Sequence, residues 1–253
     1  MREPHYVVWD KEKIEAYWNV WGNLKPVSPW FGEKACGWMV EELRALTNKY
    51  FDGKKVKILD CGFGAGYLLG ELSKRGFDCY GIDLSSERVH KAQLDHPNIT
   101  FKVGSTTSTN FGDSFFDIVI TTQTIEHFLD EDLQASFKEF SRIMAKRGLL
   151  FITTRFEEDL SREYKVCPDC HAIFRHSQHL QSFDFKRIKD LFNQVGIEAV
   201  ILKRSRCRNN LKGVIPGRVK LLRLMDPILY RIFGAYLDER MGKYLYAVGR
   251  KFQ

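Results

Sequence analysis

From Lys55 onward, short apolar runs alternate with stretches whose apolar residues recur at helical spacing. Val56, Ile58 and Leu59 make the first run, bounded by Lys54-Lys55 and closed by Asp60. Uninterrupted apolar runs of this length suit strands covered on both faces, and the intervening periodic stretches suit the helices that cover them. The pattern predicts strands over 55–60, 78–83, 99–103, 116–121, 148–154, 197–204 and 243–250. It predicts helices over 67–75, 86–94, 130–144 and 184–195, with Arg75-Gly76 and Lys146-Arg147-Gly148 as C-caps. Ahead of them, a helix from Glu33 to about Lys49 would put Ala35, Trp38, Met39, Leu43 and Leu46 on one face. Such alternation of strand and helix specifies an α/β fold with a mostly parallel sheet between two helical layers.

The 253 residues suffice for one core, so the whole of 1–253 reads as a single domain with three additions. The first, 1–50, is aromatic: all five tryptophans fall at or before Trp38. It reads either as a hydrophobic cap on the sheet edge or as a lid over a reaction centre, and the two are compatible. The others are insertions at 155–183 and 205–242, both on the carboxyl side of late strands, where open α/β sheets bind ligands. Net charge is +7 and pI near 9.0. No acid occurs from Ala199 to Met225, whereas Lys203, Arg204, Arg206, Arg208, Lys212, Arg218, Lys220 and Arg223 do. That stretch is either a solvated face or a basic rim for an anionic, phosphorylated or lipid-linked acceptor, with peripheral membrane contact. Nucleic acid is disfavoured, since no recognised binding module accompanies the charge. The start of the chain has no apolar leader, and no long apolar window occurs, so the expected location is the cytoplasm or the inner membrane face.

The most informative stretch is Ile58-Leu59-Asp60-Cys61-Gly62-Phe63-Gly64-Ala65-Gly66. Strand, glycine turn and helix N-terminus together let a backbone press against a nucleotide-like ligand. The spacing is not the dinucleotide fingerprint, because Tyr67 stands where the third glycine belongs. Asp60 would repel a pyrophosphate but suits a ligand carrying an ammonium and a sulfonium, which points to S-adenosylmethionine. Asp83 ends the second strand 23 residues later, placed to accept ribose hydroxyls.

With Gly81-Ile82-Asp83-Leu84-Ser85 and Phe115-Phe116-Asp117-Ile118-Val119-Ile120-Thr121-Thr122-Gln123-Thr124-Ile125-Glu126-His127-Phe128, this order resembles class I S-adenosylmethionine-dependent methyltransferases. Within them it is most like the branch of the ubiquinone-biosynthesis O-methyltransferases, over roughly residues 33–155 and again at Tyr244–Lys251. The resemblance implies a Rossmann-like, seven-stranded sheet whose last strand is antiparallel. It implies cofactor contacts from Asp60, Gly62, Gly64, Gly66, Asp83, Leu84, Ser105, Thr106 and Gln123. Gly104-Ser105-Thr106 replaces the acid that usually meets the adenine amine, and Gln123 stands where relatives often carry Glu. Glu126 and His127 fall at the acceptor edge; His127 reads as a general base or as a capping, packing histidine.

Cys167-Pro168-Asp169-Cys170 with His176 and His179 has the spacing of a metal knuckle. Structural zinc on Cys167, Cys170, His176 and His179 is the expectation, with the fourth ligand open among His176, His171 and Cys207, and with unliganded thiols as the alternative. The expected function is methyl transfer to a small-molecule, sugar- or lipid-linked acceptor, on oxygen rather than nitrogen or carbon. An RNA methyltransferase and a non-catalytic S-adenosylmethionine-binding scaffold are the rivals. The sequence leaves the oligomeric state open.

Overall fold

The computed structural model describes residues 3–24, 31–207 and 243–252. The basic, apolar region expected at 205–242 falls mostly at 208–242, outside the described residues.

The core strands are β2 (Lys57–Cys61), β3 (Asp78–Asp83), β4 (Thr100–Val103), β5 (Phe116–Thr122), β6 (Met144–Arg155), β9 (Ile197–Ser205) and β10 (Tyr244–Lys251). They form one seven-stranded sheet in the order β4-β3-β2-β5-β6-β10-β9. β2, β3, β4, β5 and β6 pair in parallel, and β10 lies antiparallel to both β6 and β9. The strand order reverses direction between β2 and β5, which places a ligand crevice at their carboxyl ends. The helices are α2 (Phe31–Tyr50), α3 (Tyr67–Ser73), α4 (Ser86–Asp95), α5 (Asp130–Ile143) and α6 (Phe185–Gln194). Two apolar clusters result, one per sheet face. Trp38 of α2 packs on Phe151 and Tyr246, so this part of the aromatic front covers a sheet face rather than an edge. α5 and α6 meet through Phe137 and Phe192 on the opposite face.

The expected C-cap at Lys146-Arg147-Gly148 is not one. α5 ends at Ile143, and the chain enters β6 at once, with Arg147 at φ 64° and a register shift against β5 between Phe116 and Ile118. The three residues form a bulged strand entry, which the Arg-Gly pair mimics because both structures need a left-handed residue. Arg75-Gly76 does end its helix as expected, with Gly76 at φ 87°.

Two features have no counterpart in the apolar pattern. One is α1 (Lys11–Asn23), capped by Asp10, whose side chain accepts from the Lys13 N–H at 2.9 Å. The other is a small sheet, β1 (His5–Tyr6), β8 (Ala172–Arg175) and β7 (Tyr164–Val166) in that order. β7 and β8 are a hairpin within the 155–183 insertion, and β1 joins β8 in parallel. The chain's front and its first insertion are therefore one structural unit. Among the described residues no helix is long and apolar enough to cross a membrane.

Candidate functional site

The glycine turn leaves β2 with Gly62 at φ +79° and Gly64 at φ +61°, values that side-chain-bearing residues seldom adopt. A Cβ on Gly62 would lie 2.6 Å from the Thr124 side chain, so this glycine lets the turn pack against the loop after β5. A Cβ on Gly64 would meet nothing within 4 Å; it would project into open space. Asp83, buried at the end of β3, accepts from the Gly64 N–H and the Ser85 N–H, each at 3.0 Å. Arg88, on the first turn of α4, lies 3.8 Å from the same carboxylate. Burial raises the Asp83 pKa, while Arg88 and the two N–H groups oppose the rise.

Asp60 is buried beneath the turn, and its Oδ1 has no hydrogen-bond partner. Burial, helped by the charge of Asp83, pushes its pKa up to about 8. An orphaned buried carboxyl oxygen costs stability of order 1–3 kcal/mol, so its retention beside a left-handed glycine turn suits a cationic ligand end.

Above the turn lies a cleft. Gly62, Ile82, Asp83, Leu84, Gly104 and Thr106 form one side; Ile14, Trp18, Gln123, Thr124, His127 and Phe128 form the other. Leu84 is an exposed apolar residue only in the sense that it faces this cleft. Thr106 is fixed by its hydroxyl contact with Ser136 at 2.7 Å. Ser105 is not in the lining; its hydroxyl bonds Thr107 inside its own turn. Gln123 lines the cleft with φ 50° and a buried, unpartnered Nε2.

Glu126 and His127 sit in a single 3-10 turn, Ile125–His127, directly after β5. Glu126 is fully buried; Oε2 accepts from the Thr154 hydroxyl at 3.0 Å, and Oε1 is unpartnered. Burial pushes its pKa up to about 7. His127 lines the cleft with its ring 4.6 Å from Trp18 and 4.9 Å from His179. Its Nδ1 lies 3.2 Å from the Gln178 carbonyl, which can only accept, so Nδ1 carries the proton. Burial first, then the neighbouring His179, pulls its pKa down to about 3, against the Gln178 and Gln123 carbonyls.

Ile14, Trp18, Arg88 and Phe128 were not singled out by sequence. Trp18 donates from Nε1 to Gln178 Oε1 at 2.8 Å, and Gln178 Nε2 donates to the His127 carbonyl at 3.1 Å. The Arg88 guanidinium lies 5.4 Å from the Trp18 ring. Trp18 thus joins the Asp83 end of the cleft to the His127 end. The tryptophan-rich front was the available signal, but nothing in it says which indole turns inward. Trp18→Ala is expected to raise KM for the acceptor several-fold while leaving Tm within a few degrees, since one largely local aromatic anchor is lost; parallel kinetics and melting would show it.

The four residues of the expected knuckle are not gathered. Cys167 and Cys170 do form a tight turn, with His171 N–H donating to the Cys167 carbonyl at 2.9 Å. The N–H groups of Cys170 and Asp169 hold the Cys167 thiol below its ordinary pKa. His176 is exposed, 4.0 Å from Glu163, and its carbonyl accepts from the Tyr17 hydroxyl. Cys207 is buried in the core under α2. His179 stands instead with Glu126 and His127, the one cluster of three potential metal donors among the described residues. Spacing along the chain brings His179 near the thiols; the fold takes it past them.

Residues 59–152 match the family model described as a methyltransferase domain. A norajmaline N-methyltransferase from Rauvolfia serpentina is 32% identical over 138 residues, which are 51% of this chain and 47% of that relative. A ubiquinone biosynthesis O-methyltransferase from Pelagibacter ubique is 30% identical over 105 residues, 40% of this chain and 42% of the relative. The matched region thus spans about half the length of these curated relatives. The solved structure of a TehB-like SAM-dependent methyltransferase from Corynebacterium glutamicum superposes with TM-score 0.55 at 19% identity, covering 96% of this chain and 100% of that one. The fold, the turn after β2 and these likenesses agree: residues 59–152 match a methyltransferase domain, and the fold around them is shared with a solved S-adenosylmethionine-dependent methyltransferase.

Proposed function

We propose that the protein transfers a methyl group from S-adenosylmethionine to an oxygen of a small, anionic, sugar- or lipid-linked acceptor. The observation that carries this reading is the orphaned Asp60 oxygen under a turn whose Gly64 leaves open space. The residues fit the cofactor: Asp60 would meet its cationic end, Gly62 and Gly64 its close approach, and Asp83 its ribose. Bound there, the cofactor supplies a methyl on a sulfonium, an electrophile that needs alignment and dryness rather than redox help.

The chain's own residues supply both. Trp18, Ile14 and Phe128 give the acceptor side an apolar wall, which excludes water from the line of attack. A hydroxyl acceptor must lose a proton, and His127 and Glu126 are the groups we assign to that end. His127 arrives neutral, with its proton on Nδ1, so only Nε2 has a lone pair to offer. The curated relatives named above include both N- and O-methyltransferases, so oxygen rests on this pair and not on likeness. The positive net charge and the basic stretch support an anionic acceptor.

His127→Ala is expected to lower turnover by about 100-fold with cofactor affinity nearly intact. The test of the reading itself is incubation with methyl-labelled cofactor and cell extract, followed by identification of the labelled product. Label on a small hydroxyl-bearing compound supports it. Label on RNA, or none with a folded protein that binds S-adenosylhomocysteine, overturns it.

A further inference from the structure

The fold sorts the chain's six cysteines into two kinds. Cys36, Cys61, Cys79 and Cys207 are buried. Burial pushes the thiols of Cys36 and Cys79 up to about 11 and about 12, so they are inert near neutrality. Cys167 and Cys170 are partly exposed, in the turn that joins β7 to β8.

That turn is built around one sulfur. The Cys167 N–H donates to the Ala172 carbonyl, and the Cys167 carbonyl accepts from the His171 N–H, both at 2.9 Å. His171 takes φ 59°, which ends the turn and sends the chain into β8. Inside it, the N–H groups of Cys170 and Asp169 and the Cys170 thiol all donate to the Cys167 sulfur. Donors gathered on one sulfur favour its thiolate, the form that attacks disulfides. The first and fourth Cα atoms of such a turn lie within about 7 Å, the span a disulfide can bridge. Among the described residues no histidine, acid or further cysteine completes a cluster of three with this pair. Each thiol has the other as its partner.

We propose that Cys167 and Cys170 form a reversible modification site, which small disulfides of the glutathione class close to an intramolecular disulfide. Cys167 gives up its proton and attacks one sulfur of the small disulfide. That S–S bond breaks, a mixed disulfide forms on Cys167, and the departing small thiolate takes up a proton. Cys170 then loses its proton to solvent and attacks the Cys167 sulfur. The mixed disulfide breaks, and the second small thiolate leaves and is protonated. The pair is oxidised by two electrons and the small disulfide is reduced by two. Cys170 suits the second step because its thiol already points at that sulfur. The site lies at the root of the strand on which the chain's front is seated, since His5 N–H donates to the His171 carbonyl beside it. It does not depend on the methyl-transfer reading and can be tested without it.

The experiment equilibrates reduced, full-length protein with glutathione and glutathione disulfide at a series of ratios. Acid quenching, alkylation and mass spectrometry then give the state of each cysteine. The expected result is that Cys167 and Cys170 are lost together, that the four buried thiols stay reduced, and that dithiothreitol restores the pair. In Cys170→Ser the reaction should stop at glutathione held on Cys167. In Cys167→Ser, Cys170 should react at least tenfold more slowly than Cys167 does in Cys170→Ser. Both substitutions lie in a surface turn, and melting curves check that the variants are folded. A pair that stays reduced under a large excess of the disulfide would overturn the proposal, as would equal rates in the two single variants. So would a pair that reacts only after a chelator has stripped an ion from it, which would assign the turn to metal binding.

Discussion

Gly64→Val is expected to abolish S-adenosylhomocysteine binding in calorimetry while leaving a folded protein. The valine Cβ meets no protein atom within 4 Å, so the fold has room for it; the ligand does not. A β-branched residue at φ +61° also adds strain of about 1–3 kcal/mol, visible as a lower Tm. Gly64→Ala separates the two effects, because it keeps most of the strain and intrudes less. Asp83→Ala is the companion variant. Its carboxylate serves both the turn, through the Gly64 N–H, and the expected ribose hydroxyls. Each charge-assisted bond lost should weaken binding by about 1.5–3 kcal/mol, so two losses give at least a hundredfold. Wild-type affinity in both variants would remove the cofactor from this turn.

Affinity for S-adenosylhomocysteine is expected to climb from pH 5 to pH 7, by up to about tenfold per unit, and to release a proton on binding. The sign follows from Asp60. Its pKa in the free protein is about 8, so it is mostly protonated across this range. A cationic partner favours the carboxylate, so binding must expel the proton, and lower proton activity helps. Staying below pH 7 keeps the ligand's own ammonium charged. The same shift acts on the ligand-free fold. An aspartate raised from 3.8 to about 8 binds more protons folded than unfolded, so stability falls as pH rises between those values. Calorimetry in two buffers of different ionisation enthalpy measures the proton directly, and Asp60→Asn should flatten the profile. A pH-independent affinity with no proton released would separate Asp60 from the ligand.

The parallel sheet and the turn proposed to hold the cofactor were legible because their signals are local. Val56, Ile58 and Leu59 are buried, Asp83 does end its strand, and the glycines do take the left-handed turn. Gly-x-Gly-x-Gly declares a backbone conformation, which needs no knowledge of distant residues. The side of the cleft proposed for the acceptor was legible only in part. Glu126 and His127 were found because they follow a strand directly. Trp18 and Arg88 meet across 70 positions through a helix that no apolar period announced: α1 mixes tryptophans with charges and buries only Ile14 among its described side chains. His179 was assigned to the thiols because sequence spacing measures reach along the chain, whereas two backbone bonds to Glu126 decide where it goes. The 146–148 misreading has the same root, since a left-handed Arg before Gly serves a helix end and a bulge equally well.

The pairing of β1 with β8 has a consequence for how such a protein can be rebuilt. His5 and Val7 donate to the carbonyls of His171 and Ile173, Tyr17 to that of His176, and Trp18 to Gln178. Every one of these bonds joins the front of the chain to the insertion, across about 160 residues of sequence. The front lines the cleft with Ile14 and Trp18, and the insertion, which lines none of it, holds that front in place through these bonds. A chimera that borrows residues 155–183 from a relative without residues 5–24 would inherit a parallel edge with no neighbour and an amide with no indole. Changes of acceptor should therefore travel as paired exchanges of both segments, with the glycine turn and Asp83 left as they are.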